Sequence, residues 1–374
     1  MPKILSALAG LVLSAAGVLA ASNLVYIGTY TNAGGRGIYA TRFDSADGTL
    51  SPPFLAVAAP NPAFLAFGRD HKFIYAIDEY GGYVSAFSVD AATGKLTFLN
   101  HQPSGGASTA HLAVDPTFHI LIIANYGGGS VGTFPLGADG QIGARSSLFV
   151  QHGRFGPNPI RQTQSRPHSI TLSPDGRFAF ICDLGQDEVF VYKLDLATAL
   201  LLPTAQVGAR TPPGSGPRHS VFSADARFFY VINEMGGSVS TFAYDAKRGE
   251  LTPHGTLSSL PADFSGVRGS AEIAISPNGK WLYVSNRGSG QGSDSLATFS
   301  RDSQTGQLAL AGVVPSGGGM PRNFALSPDG NWILCANQNG NNIIPFRLDS
   351  ASGQPVRAGA GIKVSRPVCL LFQP

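Results

Sequence analysis

The apolar residues of this chain fall in short runs, and the polar residues between them recur in a fixed order. Ser173-Pro174-Asp175-Gly176 precedes Arg177-Phe178-Ala179-Phe180-Ile181-Cys182-Asp183. The same phrase returns at Ser276-Pro277-Asn278-Gly279, before Lys280-Trp281-Leu282-Tyr283-Val284-Ser285-Asn286. It returns again at Ser327-Pro328-Asp329-Gly330, before Asn331-Trp332-Ile333-Leu334-Cys335-Ala336-Asn337. Looser copies end at Asp78, Asn125 and Asn233, and Leu24-Val25-Tyr26-Ile27-Gly28-Thr29 matches the second half alone. The period is about fifty residues, that of a four-stranded propeller blade. Seven such units account for the chain beyond its first residues.

Each unit predicts the same four strands. An apolar strand enters the Pro-Asp-Gly turn, where Pro pre-sets φ, Asp bonds its own backbone and Gly takes the positive φ. A second strand follows, such as Trp281 to Val284. A third carries an apolar residue and then an aromatic, as in Val131 and Phe134 or Val239 and Phe242. A glycine turn leads to the outer strand, as in Gly140-Gln141-Ile142 and Gly306-Gln307-Leu308. Val368-Cys369-Leu370-Leu371-Phe372 reads as a first strand with no second after it. Leu24-Val25-Tyr26-Ile27 reads as a second strand with no first before it. Pairing the two completes a blade from both chain ends and hides the edges that a repeat array would expose. The expected fold is therefore all-β: a seven-bladed β-propeller of four-stranded antiparallel blades, occupying residues 22–374 as one domain. An open solenoid would want capping repeats, and none is visible.

Composition agrees. Among 374 residues, 47 are Gly and 26 Pro, a density that breaks long helices. A net charge of +3 with 43% hydrophobic residues excludes a disordered chain. No basic tract is present, so a nucleic-acid partner is not expected. Cys182, Cys335 and Cys369 are odd in number, widely spaced and set in apolar stretches. They read as buried thiols rather than a disulfide or zinc framework. Residues 1–21 read as a secretory signal: Lys3, an apolar stretch from Ile4 to Leu19, and small residues before a cut. Cleavage there would leave an exported protein, periplasmic or extracellular, with no membrane segment. The competing reading is an uncleaved anchor.

Charge is scarce, at 13% of residues, and where it gathers is informative. The start of each first strand and the end of each second strand lie at one end of the central channel. Counting six residues back from each turn Pro gives one ring that includes His168, Arg218 and Arg322. The next positions include His111, His219, Glu272 and Asn323. The residues just past the second strands include Glu79, Tyr126, Glu234, Arg287 and Gln338. Ionisable groups gathered at one mouth are costly unless paired or used. For any one of them a paired or solvated loop residue is as good a reading; the cluster carries the inference.

The chain resembles the lactonase family of seven-bladed propellers, which includes the propeller-type 6-phosphogluconolactonases and the fungal carboxymuconate cycloisomerases. The resemblance spans Leu24 to Phe372. It rests on Tyr26-Ile27-Gly28-Thr29-Tyr30-Thr31, Ala124-Asn125-Tyr126-Gly127-Gly128-Gly129, Gly156-Pro157-Asn158-Pro159 with Arg161-Gln162, Pro167-His168-Ser169, Gly216-Pro217-Arg218-His219, Asn233-Glu234, Ala271-Glu272-Ile273 and Ser285-Asn286-Arg287-Gly288. It implies a catalytic set of His168, Arg218, Glu234 and Arg287. Arg166, His111, His219, Glu272, Arg322 and Gln338 are expected to bind substrate. Arg166 stands where family members often carry the first His of a His-x-His pair. Glu234 or His168 is expected as general base, with Arg218 and Arg287 taking an oxyanion, a phosphate or a carboxylate. No metal or other cofactor is expected, because an arginine-rich ring repels a cation. A Gly-x-Ser-x-Gly elbow is absent, which disfavours a serine esterase. The expected activity is hydrolysis of a small-molecule lactone, of the 6-phosphogluconolactonase type. The alternatives are a carboxymuconate cycloisomerase-like enzyme and a non-catalytic exported propeller that binds a ligand or a protein.

Overall fold

The recurring Ser-Pro-Asp-Gly phrase is a hydrogen-bonded knot that launches the second strand of a blade. Ser173 Oγ accepts the Phe178 N–H at 2.9 Å and donates to Asp175 Oδ1 at 2.6 Å. Ser223, Ser276 and Ser327 accept from Phe228, Trp281 and Trp332 in the same way, each at 3.0 Å. Gly176 supplies the left-handed residue of the turn, at φ 69°.

The computed structural model describes residues 22–288 and 294–373; the expected signal over 1–21 lies outside them. Seven antiparallel sheets follow in chain order. Blade I pairs Pro367–Phe372 with Ser22–Thr29, then Gly37–Asp44 and Phe54–Ala58. Blade II runs Pro62–Phe67, Phe73–Asp78, Tyr83–Val89, Leu96–Pro103, and blade III Thr109–Val114, Ile120–Asn125, Ser130–Pro135, Ser147–Val150. Blade IV holds Pro167–Leu172, Phe178–Asp183, Glu188–Asp195 and Leu200–Arg210. Blade V holds Pro217–Phe222, Phe228–Asn233, Ser238–Asp245 and Glu250–Ser258. Blade VI holds Ser270–Ile275, Trp281–Asn286, Ser295–Arg301 and Leu308–Pro315. Blade VII ends in a split outer strand, Pro355–Arg357 and Ile362–Lys363, both paired to Asn342–Leu348 beyond Trp332–Asn337 and Pro321–Leu326. The innermost strands pack one against the next around a closed ring, with Pro367–Phe372 touching both Pro62–Phe67 and Pro321–Leu326. Closure by the two chain ends is thus as expected, with Val25 opposite Phe372 and Gly28 opposite Cys369.

The core lies between blades rather than at one centre. Phe180, Phe229, Val231 and Phe242 pack between blades IV and V, and Tyr75, Ile77, Leu112 and Ile123 between II and III. Glycine sets the fit. Gly306 sits at φ 72°, and a Cβ there would lie 2.3 Å from the Phe228 ring of the preceding blade. Its carbonyl accepts the buried Tyr230 hydroxyl at 2.9 Å. Gly306→Ala is therefore expected to cost more than about 1 kcal/mol in urea unfolding; an unchanged midpoint would mean that the blades tolerate the methyl. Cys182, Cys335 and Cys369 are free and buried. Burial pushes the Cys182 thiol up to about 11 and that of Cys369 to about 12, so both stay protonated.

Two devices place side chains at the channel mouth. The residue after each second strand donates its N–H back to the loop before the first strand of its blade, as Glu234 does to Gly216 O at 2.7 Å and Arg287 to Gly269 O at 3.1 Å. Each first strand also carries a bulge. In blade V, Pro217 lies opposite Asn233 and His219 opposite Ile232, so Arg218 is the extra residue. A bulge re-aims side chains, and here both Arg218 and His219 reach the neighbouring blade VI.

Candidate active site

Glu234 is the hub. Its Oε2 lies 3.1 Å from Arg218 Nε and 2.8 Å from Arg287 Nη2, and its Oε1 accepts from Arg161 Nη2 at 2.7 Å. The Arg218 Nε contact is an ion pair without hydrogen-bond alignment. Arg218 is anchored instead by Nη1 donating to Ala271 O at 2.6 Å. Arg287 is held by Nε donating to Gly269 O at 2.8 Å and Nη2 donating to Ser270 O at 3.3 Å. Among the described residues, Arg218 Nη2 and Arg287 Nη1 have no protein partner, and neither is sealed from solvent.

Both sides of this cluster have their pKa lowered, which favours the charged form of the glutamate and disfavours that of the arginine. Burial alone would raise the Glu234 carboxyl, but Arg287, Arg218 and Arg161 overturn that and hold it well below its ordinary value. Arg218 is lowered to about 9, first by burial and then by Arg287 and Arg322, although Glu234 opposes this. The stoichiometry reconciles them. One anion faces three cations, while the buried Arg218 is opposed by burial, Arg287 and Arg322 and supported by Glu234, which it shares, and by Glu272, which is bonded elsewhere. The mouth therefore carries excess positive charge. A carboxylate held so far down is no base near neutral pH. Glu234 does not have the near-neutral tuning expected of it as a base; its geometry is that of an anchor for arginines.

His168 sits beside this cluster, 5% exposed, with its ring against Tyr126 and His219 at centroid distances of 5.5 and 5.2 Å. Burial, then Arg218, His219, Arg322 and Arg287, lower its pKa well below the ordinary value, so the imidazole is neutral at pH 7. Its Nδ1 is sealed without a partner; its Nε2 is unpartnered but not sealed.

Arg322 lies 3.5 Å from Glu79, whose Oε2 also accepts the Tyr30 hydroxyl at 2.5 Å. Arg166 stacks over the Tyr126 ring at 5.1 Å and donates from Nε to Arg161 O at 2.8 Å. It thus braces the loop that carries Arg161. Gln338 keeps a buried, unpartnered Oε1. His111, His219 and Glu272 form a deeper layer. His111 stacks on Phe64 at 3.9 Å, and His219 Nδ1 meets Glu272 Oε1 at 2.9 Å. Both oxygens of the Glu272 carboxylate accept within the protein, Oε2 from the Asn323 amide at 2.5 Å. Three of its acceptor positions are thus used inside the fold, by His219, Ile273 and Asn323.

Arg161 was not among the expected site residues. It rides on the loop between blades III and IV, so counting along strands cannot place it. The one signal is its position in the quoted Gly156 to Gln162 stretch. Its Nε and Nη2 also hold the Tyr126 hydroxyl, at 3.3 and 2.8 Å.

A seven-bladed ring whose channel mouth sets three guanidiniums around one carboxylate, beside a neutral histidine, defines the class: a β-propeller with a cationic channel mouth. Over residues 24–372 the chain matches the model of the family described as lactonase, 7-bladed beta-propeller, and it belongs to that family. It is 32% identical over 349 residues to the 6-phosphogluconolactonase of Bacillus subtilis, covering 93% of this chain and 97% of that protein. It is 33% identical over 336 residues to the 6-phosphogluconolactonase of Formosa agariphila, covering 88% and 94%. The solved periplasmic gluconolactonase of Pseudomonas aeruginosa superposes with a TM-score of 0.88 at 32% identity, covering 94% of this chain and 99% of that one.

Proposed function

We propose that the protein hydrolyses 6-phospho-D-glucono-1,5-lactone to 6-phospho-D-gluconate at the mouth formed by His168, Arg218, Arg287 and Glu234. The observation that carries this reading is the cation excess: Arg161, Arg218 and Arg287 share one carboxylate, and Arg218 and Arg287 each keep a free, anchored donor. In this reading the lone pair of neutral His168 Nε2 takes a proton from water, and the oxygen forms a bond to the lactone carbonyl carbon. Arg218 Nη2 and Arg287 Nη1 hold the resulting oxyanion. The carbonyl re-forms as the ring C–O bond breaks, and the leaving alkoxide takes the proton from the His168 imidazolium. One water is added and the histidine returns to its starting state. Glu234 stays ionised throughout and holds the arginines in place. The remaining cation, Arg161, suits the substrate's phosphate.

Hydrolysis of the phosphorylated lactone above the spontaneous rate, lost in Arg218→Lys, is the expected result. Turnover of a carboxylated diene in place of any lactone would replace this reading with the cycloisomerase one. Binding gives an independent check. 6-Phosphogluconate at a hundred-fold excess over its Kd should stabilise the fold by about 2.7 kcal/mol. Thermal unfolding should show the shift in the wild type and lose most of it in Arg287→Gln. Residues 1–21, with a cation before an apolar stretch, support export of the protein; fractionation of expressing cells tests this, and cytoplasmic retention would overturn it.

A further inference from the structure

Below the arginines lies a string of buried polar groups that the proposed chemistry leaves unused. Asn323 Oδ1 accepts the Leu370 N–H at 2.8 Å, so the Asn323 amide nitrogen is the end that donates to Glu272 Oε2. Glu272 Oε1 accepts the Ile273 N–H at 3.0 Å and meets His219 Nδ1 at 2.9 Å. An ionised carboxylate only accepts, so the hydrogen of this last contact belongs to His219 Nδ1. Burial, Arg218 and Arg322 outweigh the pull of Glu272 and lower the His219 pKa, leaving the ring neutral. Its Nε2 is then a bare acceptor, and it is sealed without a partner. The other sealed and unpartnered ring nitrogen of this region is His168 Nδ1. The two rings lie edge to face with centroids 5.2 Å apart. A buried polar atom left unmatched is costly, and one donor matched to one acceptor removes both costs.

We propose that Asn323, Glu272 and His219 are positioning residues that set the tautomer of His168: His168 Nδ1–H donates to His219 Nε2 through one buried water. His168 is then left with its lone pair on Nε2, the nitrogen open to the mouth. The inference rests on His168 being the base of the proposed reaction. His111 is the competing donor. Its Nδ1 accepts the Ile170 N–H at 3.4 Å, so its Nε2 carries hydrogen, but that nitrogen is not sealed from solvent. The charged groups acting on the two rings are Arg218, Arg287 and Arg322 for His168, and Glu272, Arg218 and Arg322 for His219.

Nitrogen-15 NMR of the full-length labelled protein near pH 7.5 tests this, with His168→Gln and His219→Gln assigning the signals. Both rings are expected as Nδ1–H tautomers in the wild type. In Glu272→Gln the anion that orients His219 is gone. His168 should shift to the Nε2–H tautomer, and kcat should fall by roughly 10²-fold with KM within about two-fold. Finding His168 as the Nε2–H tautomer in the wild type overturns the proposal, as does Glu272→Gln with an unchanged His168 signal and kcat. Two Nδ1–H tautomers without lactone turnover would support the tautomer assignment while removing His168 as a base.

Discussion

Glu234→Gln is expected to lose about 3 kcal/mol of unfolding free energy at neutral pH, and less in acid. The side chain is 9% exposed and faces Arg218 and Arg287, at 3% and 10%. Removing one partner of a buried pair leaves an uncompensated charge, at a cost of about 3–5 kcal/mol. Here two buried cations are stranded beside each other. The Arg161 side chain is 41% exposed, so screening leaves its share small, and the lower end of that range is the better figure. Folding lowers the Glu234 pKa from 4.5. A carboxylate lowered by folding contributes stability above its unfolded pKa and loses it as pH falls toward the folded one. The gap between wild type and variant should therefore be full at pH 7 and shrink below about pH 4.5. Urea unfolding at pH 7 and pH 3.5 reads this directly. A gap of equal size at both would trace the loss to packing rather than charge. Activity should fall as well, because the two donors lose the anion that spaces them.

The blades and their closure are legible in the sequence because the signals are local. Ser173, Asp175 and Gly176 bond and bend the same few residues wherever the phrase recurs, so each copy marks a strand boundary without knowledge of the rest of the fold. The heights of His168, Arg218, Glu234 and Arg287 are legible for a related reason. Every first strand has its bulge near the same place, so a count that ignores bulges still aligns the blades. What the count misses is reach. Glu272 and His219 are one step deeper than Arg218, and whether such a residue meets solvent depends on what neighbouring blades place over it. Arg161 comes from a loop and obeys no repeat. The protonation of Glu234 depends on three cations from separate parts of the chain, so its residue type suggests a base while its surroundings forbid one.

His168→Gln should lower kcat by roughly 10²–10⁴-fold while KM stays within a few-fold, since a general base contributes that much to the chemical step and little to binding. The pH dependence makes the test more selective. Burial and the arginines keep the free His168 pKa well below 6.5, so the acid limb of kcat/KM, which reports free enzyme, should lie well below pH 6.5. A lowered pKa keeps the base unprotonated but weakens it. An anionic substrate seated on Arg161, Arg218 and Arg287 cancels part of the positive field and raises the His168 pKa again. The acid limb of kcat, which reports the complex, should therefore lie at higher pH than that of kcat/KM for the phosphorylated lactone. For the unphosphorylated lactone the two limbs should nearly coincide, because a neutral ligand leaves the field in place. In His168→Gln both limbs should vanish. Residual activity with the same acid limb would place the base elsewhere, and equal limbs for the two lactones would mean that the phosphate does not sit among these arginines.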